Sequence, residues 1–109
     1  MKHPWVWLLI AGLMEVVWAV GLKYTEGFSK WIPSLVVLIA LAGSMYLLAK
    51  VATVLPIGTA YGVWVGIGAA GSAVFGILLF QEPISFGRVF FLLLLIVSVA
   101  GLRMTADTL

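Results

Sequence analysis

The stretch Trp5-Val6-Trp7-Leu8-Leu9-Ile10-Ala11-Gly12-Leu13-Met14-Glu15-Val16-Val17-Trp18-Ala19-Val20-Gly21-Leu22 decides the fold. Its eighteen residues carry one charge, Glu15, near the middle. At ~1.5 Å per residue a helix of this length nearly crosses a ~30 Å hydrocarbon core. A polar stretch follows, Lys23-Tyr24-Thr25-Glu26-Gly27-Phe28-Ser29-Lys30, whose glycine and clustered charges mark a turn at a membrane surface. Three more apolar runs succeed it, predicting spans over about 5–22, 31–49, 57–80 and 86–103. Pro33 falls in the first turn of the second span, where proline is tolerated, and Lys50 closes that span as a cation at a helix C-terminus. The expected fold is therefore an all-α membrane protein with four transmembrane helices, residues 1–109 forming one membrane domain.

Composition narrows the function classes. Of the 109 residues 64% are hydrophobic and 9% charged, far from the roughly 25% charge of soluble domains, so the lipid bilayer is the main solvent. The net charge of +2 comes from scattered residues with no basic run, which excludes the electrostatic footprint of a nucleic-acid binder. There is no cysteine, and the single His3 sits in a polar N-terminal stub, so no metal site or cofactor is expected. A nucleophile beside a base, a ligand cluster and a phosphate loop are all missing, which argues against an enzyme.

Two features point to more than one subunit. Four short helices enclose only a narrow interior, too small for a polar site and its walls. The third span is rich in small residues, and Gly62-xxx-Gly66 and Ser72-xxx-Gly76 put them on one face where helix backbones approach closely. These spacings are expected to serve contact between subunits as well as packing within one. Loop charges give no orientation: Lys2, Lys50 and Arg103 would lie on one side, Lys23, Lys30 and Arg88 on the other. A chain without that bias can insert both ways, so an antiparallel homodimer, dual in topology, is expected.

Glu15 is the residue that demands chemistry. A carboxylate at mid-depth costs about 2.5–3.5 kcal/mol even on a lenient insertion scale. A structural role, as a neutral acid bonded between helices, is the bland alternative, but an amide would fill it without the risk of ionising. Burial and a second Glu15 nearby both disfavour the ionised form, so the pair holds either protons or an arriving cation. Such competition suffices for antiport, with protons as the coupling ion and no cofactor. Helical spacing sets Gly12 and Trp18 within a turn of Glu15; Gly12 is expected to open space beside the carboxylate, and Trp18 to offer an indole N–H and a ring face. Tyr61 and Trp64, three apart on the third span, are expected to form a polar and aromatic wall. Trp5, Trp7 and Trp31 fit an interfacial belt. Ser44, mid-helix on the second span, is as readily explained by a bond to its own backbone.

Three stretches carry a resemblance: Gly12-Leu-Met-Glu15-Val-Val-Trp18-Ala-Val-Gly-Leu-Lys23-Tyr24, Glu26-Gly27-Phe28-Ser29-Lys30, and Leu55-Pro56-Ile57-Gly58-Thr59-Ala60-Tyr61-Gly62-Val63-Trp64-Val65-Gly66-Ile67-Gly68. Together they resemble the small multidrug resistance family across essentially the whole chain. The resemblance implies a four-helix proton-coupled exporter of the bacterial inner membrane, working as an antiparallel dimer that shares its central glutamates between protons and substrate. The pattern Glu15-Val-Val-Trp18 looks like the guanidinium exporter subtype, because quaternary-ammonium exporters usually carry a small residue where Trp18 stands. It also implies a site of Glu15 lined by Trp18, Ser44, Tyr61 and Trp64. Guanidinium suits it physically, being a planar fork of N–H donors that a carboxylate accepts in bidentate fashion. Val65 and Gly62 depart from the Thr and Ala frequent in the subtype, and bear on the substrate range. The runner-up within the class is export of quaternary ammonium and other hydrophobic cations; from a different class, a non-transporting partner subunit of a heterodimer is the alternative.

Overall fold

The structure, a computed structural model, describes residues 3–106; Lys2, counted above among the loop charges, lies outside them. Four helices follow one another: α1 (Pro4–Tyr24), α2 (Trp31–Val51), α3 (Ile57–Phe80) and α4 (Phe86–Ala106). Each is long and apolar enough to cross a membrane, and no strand occurs among the described residues. The all-α, four-span expectation holds.

Local chemistry sets the ends. Pro4 occupies the first turn of α1, where its missing N–H costs nothing. Thr25 ends that helix: its N–H bonds to the carbonyls of Gly21 and Leu22, and its hydroxyl donates to Leu22 O at 2.7 Å and accepts from the Phe28 N–H at 3.2 Å. Glu26, Gly27 and Phe28 then adopt positive φ in succession, giving a tight left-handed turn that Thr25, fully buried, holds from inside. Between α3 and α4, Gln81 adopts positive φ and the Glu82 N–H returns to Gly76 O at 3.3 Å. Ser85 caps α4 by accepting from the Arg88 N–H at 3.1 Å. Arg88 also donates to Glu82 Oε1 at 2.7 Å, tying this connection to α4.

The helices form a slab, 44 × 35 × 17 Å. Helix α1 packs against both α2 and α3, whereas α4 packs mainly on α3 and reaches α1 through Arg103, whose guanidinium lies 5.3 Å from the centroid of the Trp5 ring. The apolar core lies toward the N-terminal halves of α1 and α3 and the C-terminal half of α2, where Leu8, Ala11, Leu48, Val51, Ala60, Val63 and Trp64 meet. On α4 no described residue is fully buried; Val99 and Leu102 pack on the core, while most of its other Phe, Leu, Ile and Val side chains face outward, which is inexpensive in hydrocarbon and forbidding in water.

The small residues of α3 correct one expectation. A Cβ at Gly62 would come within 3.1 Å of Leu102, and one at Gly66 would overlap Val99. Both neighbours belong to α4 of the same chain, so this pair of glycines is spent on intrachain packing and is not a free face for a second subunit. Further along, the side chain of Glu82 folds onto Gly76.

Candidate functional site

Helix α1 carries Glu15 into the seam with α3. The residue is only 9% exposed, and the Oε1 side of its carboxyl group lies against Gly68, where any Cβ would overlap Oε1 and Cδ and come within 2.7 Å of Cγ. Oε1 is buried without a hydrogen-bond partner, and no described residue forms a hydrogen bond or ion pair with the carboxyl group. One turn on, the Trp18 indole Nε1 is likewise buried and unpartnered. An acceptor and a donor thus stand side by side on α1, each with bonding capacity left over.

Ser44 and Trp64 are brought together, but on a different partner. The Trp64 Nε1–H donates to Ser44 Oγ at 2.9 Å, and the Ser44 hydroxyl donates to the Ala11 carbonyl at 2.7 Å. Ser44 is fully buried. This relay joins α3 to α2 to α1 one turn before Glu15, and fixes the height at which α1 presents its carboxyl group. The serine therefore bonds across helices and not to its own backbone. Tyr61 stacks obliquely on Trp64, ring centroids 5.7 Å apart at 43°, and is 54% exposed, so it lies at the edge of the chain's own core.

Gly12 sits a turn before Glu15, and the space it leaves is taken by Ile67, whose Cγ2 would lie 2.7 Å from an added Cβ. Its role within the chain is close approach of α1 to α3 and not an opening beside the carboxylate. Successive residues of α3 thus meet successive turns of α1: Ile67 fills the notch at Gly12 and Gly68 receives Glu15. Val65 is exposed, and Gly62 faces α4, so neither touches Glu15 within the chain. Sequence reasoning missed Gly68 and Ile67. A glycine in a helix of many glycines carries no distinguishing signal, although Gly68 does fall at the depth where α3 must pass a mid-helix carboxyl group.

No group of three or more metal-ligating side chains occurs among the described residues. The chemistry on offer is that of one carboxyl group, an indole donor and aromatic faces within an apolar wall. Such a set takes a proton or a small cation whose N–H groups the carboxylate can accept.

Comparison with known proteins agrees. A family model described as Small Multidrug Resistance protein matches residues 3–95. The chain is similar to proteins named guanidinium exporter from several bacteria. It is 52% identical over 102 residues to that of Salmonella typhimurium (strain LT2), which spans 94% of this chain and 97% of the relative. To that of Yersinia pseudotuberculosis it is 49% identical over 102 residues, 94% of this chain and 98% of the relative. To that of Citrobacter freundii it is 48% identical over 101 residues, 93% and 96% of the two chains. Four membrane-spanning helices, a partnerless carboxyl group at mid-depth and these matches along almost the full length lead to one conclusion: the chain belongs to the small multidrug resistance family.

Proposed function

We propose that the protein is a proton-coupled antiporter that exports guanidinium, and small substituted guanidinium cations, across the bacterial inner membrane as an antiparallel homodimer. The observation that carries this reading is Glu15: a carboxyl group in the middle of a membrane-spanning helix, buried against α3 and unpartnered. Relatives at about half identity carry the name guanidinium exporter, and they supply the cation.

The chain's residues divide the work. The ionised Glu15 accepts two parallel N–H bonds from guanidinium, and its proton form releases the cation. Trp18 Nε1 is one turn away to occupy a remaining lone pair of the carboxylate, and its ring and those of Tyr61 and Trp64 bound the cation's faces. Ser44 is held by Ala11 and Trp64 in the single-chain structure, so its contribution is to set the register of the wall. A tetraalkylammonium ion has no N–H to give and gains nothing from that geometry. A slab 17 Å thick cannot surround a solute on its own, and a second copy inserted the opposite way supplies the missing wall and the second Glu15. With two carboxyl groups and one monovalent cation per turnover, each cycle moves more protons than cations, and is electrogenic.

Current recorded from proteoliposomes tests this. Guanidinium should evoke a proton-coupled current that tetramethyl- and tetraphenyl-type cations do not, and Glu15→Gln should abolish it. Transport of the bulky cations alone would overturn the substrate, and an intact current in Glu15→Gln would overturn the site.

A further inference from the structure

We propose that Gly68 is a positioning residue for the exchange: the bare backbone it presents to α1 is where the protonated Glu15 side chain rests, and the carboxyl group leaves that rest to take a cation. The inference rests on the proton-coupled reading above and adds a second place for the carboxyl group within each subunit.

The geometry disfavours the ionised form at the resting place. Oε1 is enclosed between α1 and α3 and makes no hydrogen bond, and no cation among the described residues pairs with it. On α1 the next charge is Lys23, eight residues and about 12 Å farther along the helix. Helix α2 carries only Lys50, near its C-terminal end, α3 carries no charge, and the two cations of α4, Arg88 and Arg103, lie near its ends. An unpaired carboxylate in such surroundings is strongly penalised, while a neutral acid is not. Nor can a cation be bound there. A bidentate N–H fork needs both carboxylate oxygens open in one plane, and here one of them is covered by the α3 backbone.

The coupling step is then a movement. The acid swings out from Gly68 and gives its proton to water, forming a hydronium ion and a carboxylate with both oxygens presented; the carboxylate pairs with guanidinium. Return requires the reverse: the cation leaves, water delivers a proton, and the neutral acid folds back onto Gly68. Any side chain at position 68 fills the resting place, because its Cβ would occupy the volume of Oε1 and Cδ. Gly68→Ala should therefore deprive the proton-loaded state of its best conformation while leaving the cation-loaded state untouched.

The test is guanidinium affinity of the full-length protein in lipid nanodiscs, read by tryptophan fluorescence over a series of pH values through neutrality. Where protons compete, wild-type affinity falls by up to about tenfold per pH unit for each proton displaced. In Gly68→Ala most of that fall should vanish, with affinity at alkaline pH within about threefold of the wild type. A mere packing defect weakens binding by the same factor at every pH, and an unchanged pH dependence in Gly68→Ala overturns the inference while sparing the coupled reading. A wild type without any pH dependence removes both. Should the alanine variant not fold, the wild type answers alone: the infrared difference between acid-loaded wild type and Glu15→Gln should contain the carbonyl stretch of an acid that accepts no hydrogen bond, and a band lowered by hydrogen bonding overturns the proposal.

Discussion

Removing one oxygen atom at Ser44 should loosen three helices at once. The hydroxyl accepts from Trp64 at 2.9 Å and donates to Ala11 O at 2.7 Å, and the site is fully buried. In Ser44→Ala the Ala11 carbonyl keeps its intrahelical bond, so its loss is partial. The Trp64 N–H is left with no partner, and an orphaned buried donor costs about 1–3 kcal/mol. Interhelical hydrogen bonds in membranes average nearer 0.6 kcal/mol and reach about 1.7, because the unfolded chain finds other partners in lipid. Both considerations together set the expected destabilisation at about 1–2 kcal/mol. Equilibrium unfolding in mixed detergent and SDS micelles, followed by circular dichroism, measures it. A double-mutant cycle with Trp64→Phe isolates the donor–acceptor pair: once the N–H is absent, Ser44→Ala should cost less by about 0.6–1.7 kcal/mol. Strict additivity of the two single changes would refute the relay and leave Ser44 as filler.

Other substitutions test the rest of the frame. Gly66→Val adds bulk where Val99 already sits and should destabilise by about 1–3 kcal/mol, with Val99→Ala in the same chain recovering most of the loss; absence of recovery would mean that α4 does not pack there. In Thr25→Val the turn loses the bond to Leu22 O and the acceptor for the Phe28 N–H, a loss of about 1 kcal/mol. Hydrogen exchange at the Phe28 amide should accelerate in that variant, and unchanged protection would contradict the buried turn. For Arg88→Gln, both partners of the ion pair are about a third exposed and solvent screens them, so the stability change should stay under about 1 kcal/mol; a larger drop in the same micelle titration would show that the α3–α4 connection matters more than its exposure implies.

The four spans were legible because bilayer thickness imposes a length and charges cannot sit far inside it. Glu15 was legible for the same reason, since one ionisable group in eighteen residues breaks the rule that defines the span. What lay beyond reach were the pairings. Ser44 reaches Ala11 across 33 residues and Trp64 across 20, and a mid-helix serine offers the same sequence signal whether it bonds its own turn or a neighbour. Small-residue spacing announces close approach but not by what: Gly62 and Gly66 read equally well as a face for another subunit and as the bed of α4, and the structure chooses α4. Thr25 sits in a polar stretch, and its burial has no apolar signature. Its function follows from the three positive-φ residues after it, a property of the backbone that only Gly27 hints at in sequence.

The leftover bonding capacity of α1 and the thinness of the slab are two sides of one fact. A chain that buried its own functional groups completely would satisfy Glu15 and Trp18 internally, as it satisfies Ser44 and Trp64. Instead the satisfied pair lies in the core and the unsatisfied pair one turn beyond it, at the depth where Gly68 offers neither donor nor bulk. Unpaired polar atoms at mid-depth are expensive to retain. On the proposed reading they are retained at a position where a neutral acid costs little and where a proton, a cation or a residue of a second subunit would lower the cost further. On the dimeric reading proposed above, the apolar core on one side of that turn and the thin slab around it would make each chain half of a site: rigid enough to hold the height of Glu15, and open enough that a second copy would complete it.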